Sequence, residues 1–229
     1  MRSGIVCVSM LALALAAGSA QAQTLARTQP EVSFNIGVTS DYVFRGFSQT
    51  SEEPAIQGGV DASFGSFYAG AWASTVDFGD DTDAEFDIYG GYLFDVAGFD
   101  FDVGVIGYHY IGAPNFTDYD LVEFKATVSR SIDRVSFGAG VYYSPDFFGA
   151  DKQATYVEGS VGFAFTDRFS LSGAYGKQYL DISDDYSTWN VGGELALTDS
   201  LSLDVRYHDT DVDGSLSEGR VTATLGFGF

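Results

Sequence analysis

The sequence predicts an all-β protein: a transmembrane antiparallel β-barrel of about 12 strands, with short periplasmic turns and longer extracellular loops. Three observations carry that expectation. Apolar and polar residues alternate with a period of two along most of the chain, and one face of almost every segment carries no charge. Tight turns and long polar links alternate between those segments. The chain also ends on a strand in which Val221, Ala223, Leu225, Phe227 and Phe229 share one parity, and Thr222, Thr224, Gly226 and Gly228 the other. Successive strand side chains point to opposite faces. The apolar face therefore runs to the terminal aromatic, as suits the closing strand of a membrane barrel.

The N-terminus reads differently. Met1-Arg2 supplies a positive start, Ile5 to Ala17 an apolar run, and Ala20-Gln21-Ala22 an A-x-A cleavage site. The run is shorter than the roughly 20 apolar residues a membrane helix needs. Residues 1–22 are expected to be a removed export signal and 23–229 the barrel. Cys7, the only cysteine, falls in the signal, so the mature chain has neither a disulfide nor a thiol nucleophile. With 28 Gly, 4 Pro and 16% aromatics, the composition is that of strands and turns. A formal charge of −21 excludes nucleic acid as a partner, whose phosphates require Lys and Arg.

The first strand places Val32, Phe34, Ile36, Val38, Tyr42 and Phe44 on one face, against Ser33, Asn35, Thr39, Asp41 and Arg45. The second sets Ile56, Val60, Ala62 and Phe64 against Gln57, Asp61 and Ser63. In Phe67 to Phe78 the alternation leaves the lipid side open, because Tyr68, Trp72 and Ser74 share one face and Phe67, Ala69, Ala71 and Ala73 the other. Phe86, Ile88, Tyr92 and Phe94 then oppose Glu85, Asp87 and Tyr89, and Phe99, Phe101, Val103 and Val105 oppose Asp100, Asp102, Tyr108 and Tyr110. The second half repeats the scheme. Val122, Phe124, Ala126 and Val128 face away from Glu123, Lys125 and Thr127; Val135, Phe137, Val141 and Tyr143 from Ser136 and Tyr142; Val157, Val161, Phe163 and Phe165 from Tyr156, Glu158 and Ser160. Three last segments set Phe169, Leu171 and Tyr175 against Ser170, Ser172 and Gln178; Trp189, Val191, Leu195 and Leu197 against Thr188, Asn190 and Glu194; and Leu201, Leu203, Val205 and Tyr207 against Ser202, Asp204, Arg206 and His208.

Tight turns are expected near Gly65-Ser66, Val96-Gly98, Ser131-Arg134, Thr166-Arg168 and Thr198-Ser200. They recur roughly every 32 to 35 residues, one hairpin per period. An even strand number puts both termini on the short-turn side. Near the long loops the outward aromatics are Tyr42, Phe44, Tyr143, Tyr175, Trp189 and Tyr207; near the turns they are Phe64, Phe94, Phe99, Phe163, Phe165, Phe169, Phe227 and Phe229. Two such girdles fit two membrane interfaces. A soluble sandwich has no reason to sort its aromatics in this way.

The run Thr39-Ser-Asp-Tyr-Val-Phe-Arg-Gly-Phe-Ser-Gln-Thr50, with Pro54-Ala-Ile-Gln-Gly-Gly59, Phe67-Tyr-Ala-Gly-Ala-Trp72, Val76-Asp-Phe78, Tyr143-Ser-Pro-Asp-Phe-Phe-Gly149, Tyr186-Ser-Thr-Trp-Asn190 and Tyr207-His-Asp-Thr210, resembles the TorF family of proteobacterial porins across nearly the whole mature chain. Phe47 replaces an aliphatic residue and Thr75 stands where the family has Asn, the marks of a divergent member. The resemblance implies an outer-membrane barrel acting as a channel, and it brings no catalytic residues.

Catalytic chemistry has little to build on. His109 and His208 are the two histidines, neither with zinc-site spacing. His208-Asp209 with a serine would make a hydrolase constellation, but polar residues where a strand meets a loop are the simpler reading. Neither a metal nor a cofactor is expected. The aspartate runs at 80–83 and 209–213 read as solvated loops, with Ca²⁺ or cation-bridged lipopolysaccharide as the weaker alternatives. Ten acidic residues are assigned inward, Asp41, Asp61, Glu85, Asp87, Asp100, Asp102, Glu123, Glu158, Glu194 and Asp204, against four basic ones, Arg45, Lys125, Arg206 and Arg220. Strands about 4.8 Å apart and tilted about 40° close twelve-fold at a backbone diameter of roughly 24 Å. The expected function is therefore a narrow passive pore for ions or small solutes, cation-preferring through Asp61, Glu123 and Glu158. The alternative is a non-conducting structural or adhesive barrel. The expected partners are outer-membrane lipid and lipopolysaccharide, and the barrel-assembly machinery reading the strand that ends in Phe229.

Overall fold

Positive-φ residues mark where the chain reverses: Gly65, Ala97-Gly98 and Asp133 each adopt the left-handed backbone that a tight hairpin turn demands. The computed structural model describes residues 30–115 and 117–229. The export signal expected at 1–22 lies outside them. Twelve strands form the wall: β1 (Glu31–Thr39), β4 (Ala55–Phe64), β5 (Phe67–Thr75), β6 (Ala84–Val96), β7 (Phe99–Ile111), β8 (Leu121–Ile132), β9 (Val135–Ser144), β10 (Ala154–Ala164), β11 (Phe169–Leu180), β12 (Tyr186–Ala196), β13 (Leu201–Thr210) and β14 (Arg220–Gly228). Between β1 and β4, a separate two-stranded hairpin pairs β2 (Val43–Phe44) with β3 (Phe47–Ser48).

The wall is a closed antiparallel transmembrane barrel in which each strand pairs with its neighbours in the chain and β14 pairs with β1. Closure reaches the last residue. Phe34 and Phe229 exchange both backbone hydrogen bonds, at 2.9 and 3.0 Å, and their rings stack with centroids 5.6 Å apart. Terminal fraying is suppressed because the chain end is paired as well as packed.

Burial is inverted relative to a water-soluble protein. The largest fully buried side chains include Gln178, Glu85, Glu123 and Asp87, whereas Phe67 is 64% and Val221 65% exposed. A continuous apolar exterior of this extent exceeds any patch tolerated in water, and its solvent is lipid. All eight aromatics assigned to the turn-side girdle are exposed on that exterior. On the loop side Tyr143, Tyr175 and Trp189 are exposed as expected. Tyr42 and Phe44 are not. β1 ends at Thr39 and the chain then turns into the barrel, so Tyr42 is buried against Trp72 and Phe44 packs edge-on to Tyr108.

The side of β5 left open by the sequence is settled by the same packing. Trp72, Tyr68 and Ser74 face inward, and Phe67 faces lipid. Inward glycines make room for flat-lying tyrosines. A Cβ at Gly70 would meet the Tyr89 ring at 2.5 Å, and one at Gly176 would overlap the Tyr156 ring. This exchange of a missing side chain for an aromatic on the next strand supports the curvature of a small barrel. No helix among the described residues is long and apolar enough to cross a membrane; the crossing is made by strands.

Candidate functional site

The first long loop, L1 (residues 40–54), builds the site. Its base is fixed by Asp41, whose carboxylate accepts hydrogen bonds from Ser48 (2.7 Å), Thr50 (3.0 Å) and Arg220 (3.0 Å). The Tyr42 N–H donates to Thr50 Oγ1, and the Gln49 N–H to the Tyr42 carbonyl. Neighbouring loops hold the flanks: Ser48 N–H donates to Leu216 O, and Asp77 N–H to Gln49 O. From this base β2 and β3 run inward to a two-residue turn at Arg45-Gly46. Both residues have positive φ, +47° and +88°, the pattern of a type I′ turn. For Arg45 that conformation costs roughly 1–2 kcal/mol, so its side-chain contacts must outweigh the strain. At Gly46 a Cβ would overlap Thr210 and lie 2.7 Å from Thr188 Oγ1.

The tip backbone thus lies against β12 and β13, and the Arg45 side chain reaches on to the opposite wall. Arg45 donates through Nη1 and Nη2 to the two Glu123 oxygens on β8, both at 2.8 Å, and through Nη1 to Gln178 Oε1 on β11 at 3.0 Å. Its guanidinium lies 4.4 Å from the Tyr156 ring centre on β10, 5.3 Å from Tyr142 on β9 and 4.6 Å from Phe44 of the hairpin itself. β9 and β10 are diametrically opposite β1 and β4 in the strand order. The hairpin, extended by the Arg45 side chain, thus crosses the lumen near its long-loop end. Above it, Phe78, Tyr110, Tyr119, Phe147 and Phe148 form an aromatic cluster that ties three further loops together.

Each of the four inward cations is matched to a carboxylate: Arg45 to Glu123, Lys125 to Asp102, Arg206 to Asp204, and Arg220 to Asp41. The other inward acids have different neighbours. Asp61 accepts from the Tyr89 hydroxyl (2.6 Å), Glu158 from Tyr156 (2.9 Å) and Glu85 from Tyr42 (3.0 Å). Glu194 lies directly across from Asp204, and Asp87 is buried with one oxygen unpartnered. Asp100 sits exposed near the start of β7, beside the Ala97-Gly98 turn. All eleven residues expected to line a pore (Asp41, Arg45, Asp61, Asp87, Asp102, Glu123, Lys125, Glu158, Glu194, Asp204 and Arg206) face the interior, but Asp41 and Arg45 do so from the hairpin and not from the wall.

Tyr42, Trp72, Tyr108, Tyr142 and Gln178 were not among those candidates. The sequence sets Tyr108 and Tyr142 on polar faces and gives them no role, and only their contacts with Phe44 and Arg45 reveal one. His208 stacks no catalytic set: its ring faces Thr222 Oγ1 at 3.3 Å, while Asp209 accepts from Tyr207. His109 pairs with Asp120 at the loop edge.

Below the hairpin, Arg206 joins three strands. It donates to Asp204 (2.9 and 3.2 Å), Asn190 (2.8 Å) and Ser172 (3.0 Å), and it offsets the repulsion of the opposed Glu194 and Asp204. Arg206→Ala should lower stability by about 3 kcal/mol, against a few tenths for Ser202→Ala. The melting temperature of the purified barrel measures this, and equal effects would contradict it.

A family described as "Bacterial protein of unknown function (Gcw_chp)" matches residues 23–226. A comparison with curated proteins gives no match. Among solved structures, a KdgM porin in complex with disordered oligogalacturonate superposes with a TM-score of 0.57 at 8% identity, covering 88% of this chain and 98% of the other. A NanC porin gives 0.57 at 11% identity, covering 87% and 99%. An outer-membrane channel from Pseudomonas putida F1 gives 0.54 at 10% identity, covering 86% and 94%. At such identities the likeness is one of fold.

Proposed function

The chain belongs to the bacterial Gcw_chp family, whose description assigns no activity, and from its lumen we propose that it is an outer-membrane channel passing small cations or small cationic solutes. The carrying observation is the charge pattern. Every inward cation is matched to a carboxylate, and Asp61, Glu158 and Glu194 remain in excess on the partly exposed wall, whereas Glu85 and Asp87 are fully buried without a cation and add little to the field. Low-dielectric walls focus the field of that excess onto the axis. A lumen of this sign suits the opposite of a polyanion such as the oligogalacturonate held by the KdgM porin.

Glu123, expected from the sequence as a third carrier of selectivity, is matched by Arg45. Asp61 and Glu158, which border the space below the hairpin, carry it instead. The finer placement among TorF-family porins rests on the sequence of the run 39–50, which builds the hairpin and its base. The family match begins at residue 23, the residue the A-x-A site would expose, in keeping with an export signal at 1–22. Lipid on the apolar exterior, lipopolysaccharide around the long loops and the assembly machinery at the Phe229 strand are the partners this reading entails.

The reversal potential across a salt gradient tests it. The wild type should prefer cations, and Asp61→Asn with Glu158→Gln should reduce the permeability ratio by roughly two-fold or more. Anion preference, or a ratio unchanged by neutralisation, would overturn the reading. A second reading, a non-conducting barrel, draws on the hairpin crossing the lumen; absence of any current from the wild type and from a hairpin-free variant would favour it.

A further inference from the structure

We propose that the wall opposite L1 is a recognition site for an organic cation, a guanidinium or alkylammonium group, which Arg45 fills from within and a solute fills when the hairpin is withdrawn. The socket belongs to the wall. Glu123, Tyr142, Tyr156 and Gln178 come from four successive strands, β8 to β11, whose backbones are paired independently of L1. Glu123 is oriented by a wall residue too, since its Oε2 accepts from the Tyr108 hydroxyl at 3.0 Å. A buried carboxylate able to grip two N–H groups, flanked by the faces of two tyrosines, has the chemistry that selects a planar or alkylated cation over a hydrated metal ion.

A separate observation points to a ligand. Gln178 is fully buried and its Nε2 has no partner, although Arg45 fixes the amide's orientation by donating to its oxygen. The socket thus offers a donor that Arg45, having no acceptor, cannot use. A cation carrying a nearby hydroxyl or carbonyl oxygen would satisfy it. The occupant is separable from the wall: β2 and β3 form a ladder only with each other, the bonds of Ser48 to Leu216 O and Asp41 lie at the base of L1, and Arg45 holds a strained positive φ at the tip.

Binding, read apart from current, tests the site. Arg45→Ala, and separately a barrel with residues 43–48 replaced by a Gly-Ser linker, are purified in detergent. Their melting temperatures are compared in millimolar methylguanidinium, tetramethylammonium and sodium chloride at equal ionic strength. The organic cations should raise the melting temperature of both variants by about 3 °C relative to sodium. They should leave the wild type and the Arg45→Ala/Glu123→Gln double variant unmoved. If Arg45→Ala does not fold, the linker variant carries the test. Equal responses with and without Glu123, or none in any variant, would overturn the proposal. The site is inferred within the proposed channel, yet binding without current would defeat only the channel, and current without binding only the site.

Discussion

Glu123→Ala should lower the stability of the barrel by about 3–5 kcal/mol, the range for breaking a buried ion pair by removing one partner. The change leaves the Arg45 guanidinium without its two carboxylate bonds, with Gln178 and the faces of Phe44, Tyr142 and Tyr156 as its remaining contacts. The reverse change, Arg45→Ala, leaves Glu123 beside the already unmatched Glu85 and Asp87. Each single loss should therefore exceed what the pair contributes net. The double variant should be about 2 kcal/mol more stable than the sum of the singles predicts. Melting of the folded, heat-modifiable form measures all three, and additive losses would mean that the pair does not hold the hairpin.

Gly46→Val should act on the same hairpin by a different route. A φ of +88° is hostile to a β-branched residue, and the added atoms would enter space held by Thr188 and Thr210. Strain and overlap together should cost roughly 2–4 kcal/mol if the tip stayed seated. The cost has a ceiling, because the chain can withdraw the hairpin and leave the twelve wall strands paired. The expected result is a modest fall in melting temperature combined with a large rise in conductance. A large fall in stability with unchanged conductance would mean that the hairpin cannot leave its seat.

Much of the wall was legible because its two solvents differ so sharply. Lipid outside demands an uncharged face, so parity alone separates Val122, Phe124 and Val128 from Glu123 and Lys125. A tight turn at Thr198-Ser200 that pairs Leu197 with Leu201 implies a register in which Glu194 opposes Asp204, and that is the register observed. What parity could not reveal was the hairpin. Tyr42 and Phe44 continue the phase of Val32 to Val38, and a lumen lined by tyrosines accepts the same residue types as a lipid interface. The available signal was local: alternation lapses after Thr39, where Val43 and Phe47 place apolar residues on the other parity around Arg45-Gly46. The side of Trp72 is not legible from parity for a non-local reason: it packs against Tyr42, thirty residues earlier in the chain and at the base of the hairpin. The pairing of Arg45 with Glu123 was likewise invisible, because nothing in the spacing of two charges on separate segments states that a loop folds inward between them.

The most direct measurement compares single-channel conductance of the wild-type barrel with that of the barrel whose residues 43–48 are replaced by a Gly-Ser linker. If the hairpin spans the lumen of a cation-preferring channel, the wild type should pass a small current and the variant a several-fold larger one, both with cation preference. Identical conductances would contradict the hairpin's role as the constriction, and a variant that passes no current would contradict the channel itself.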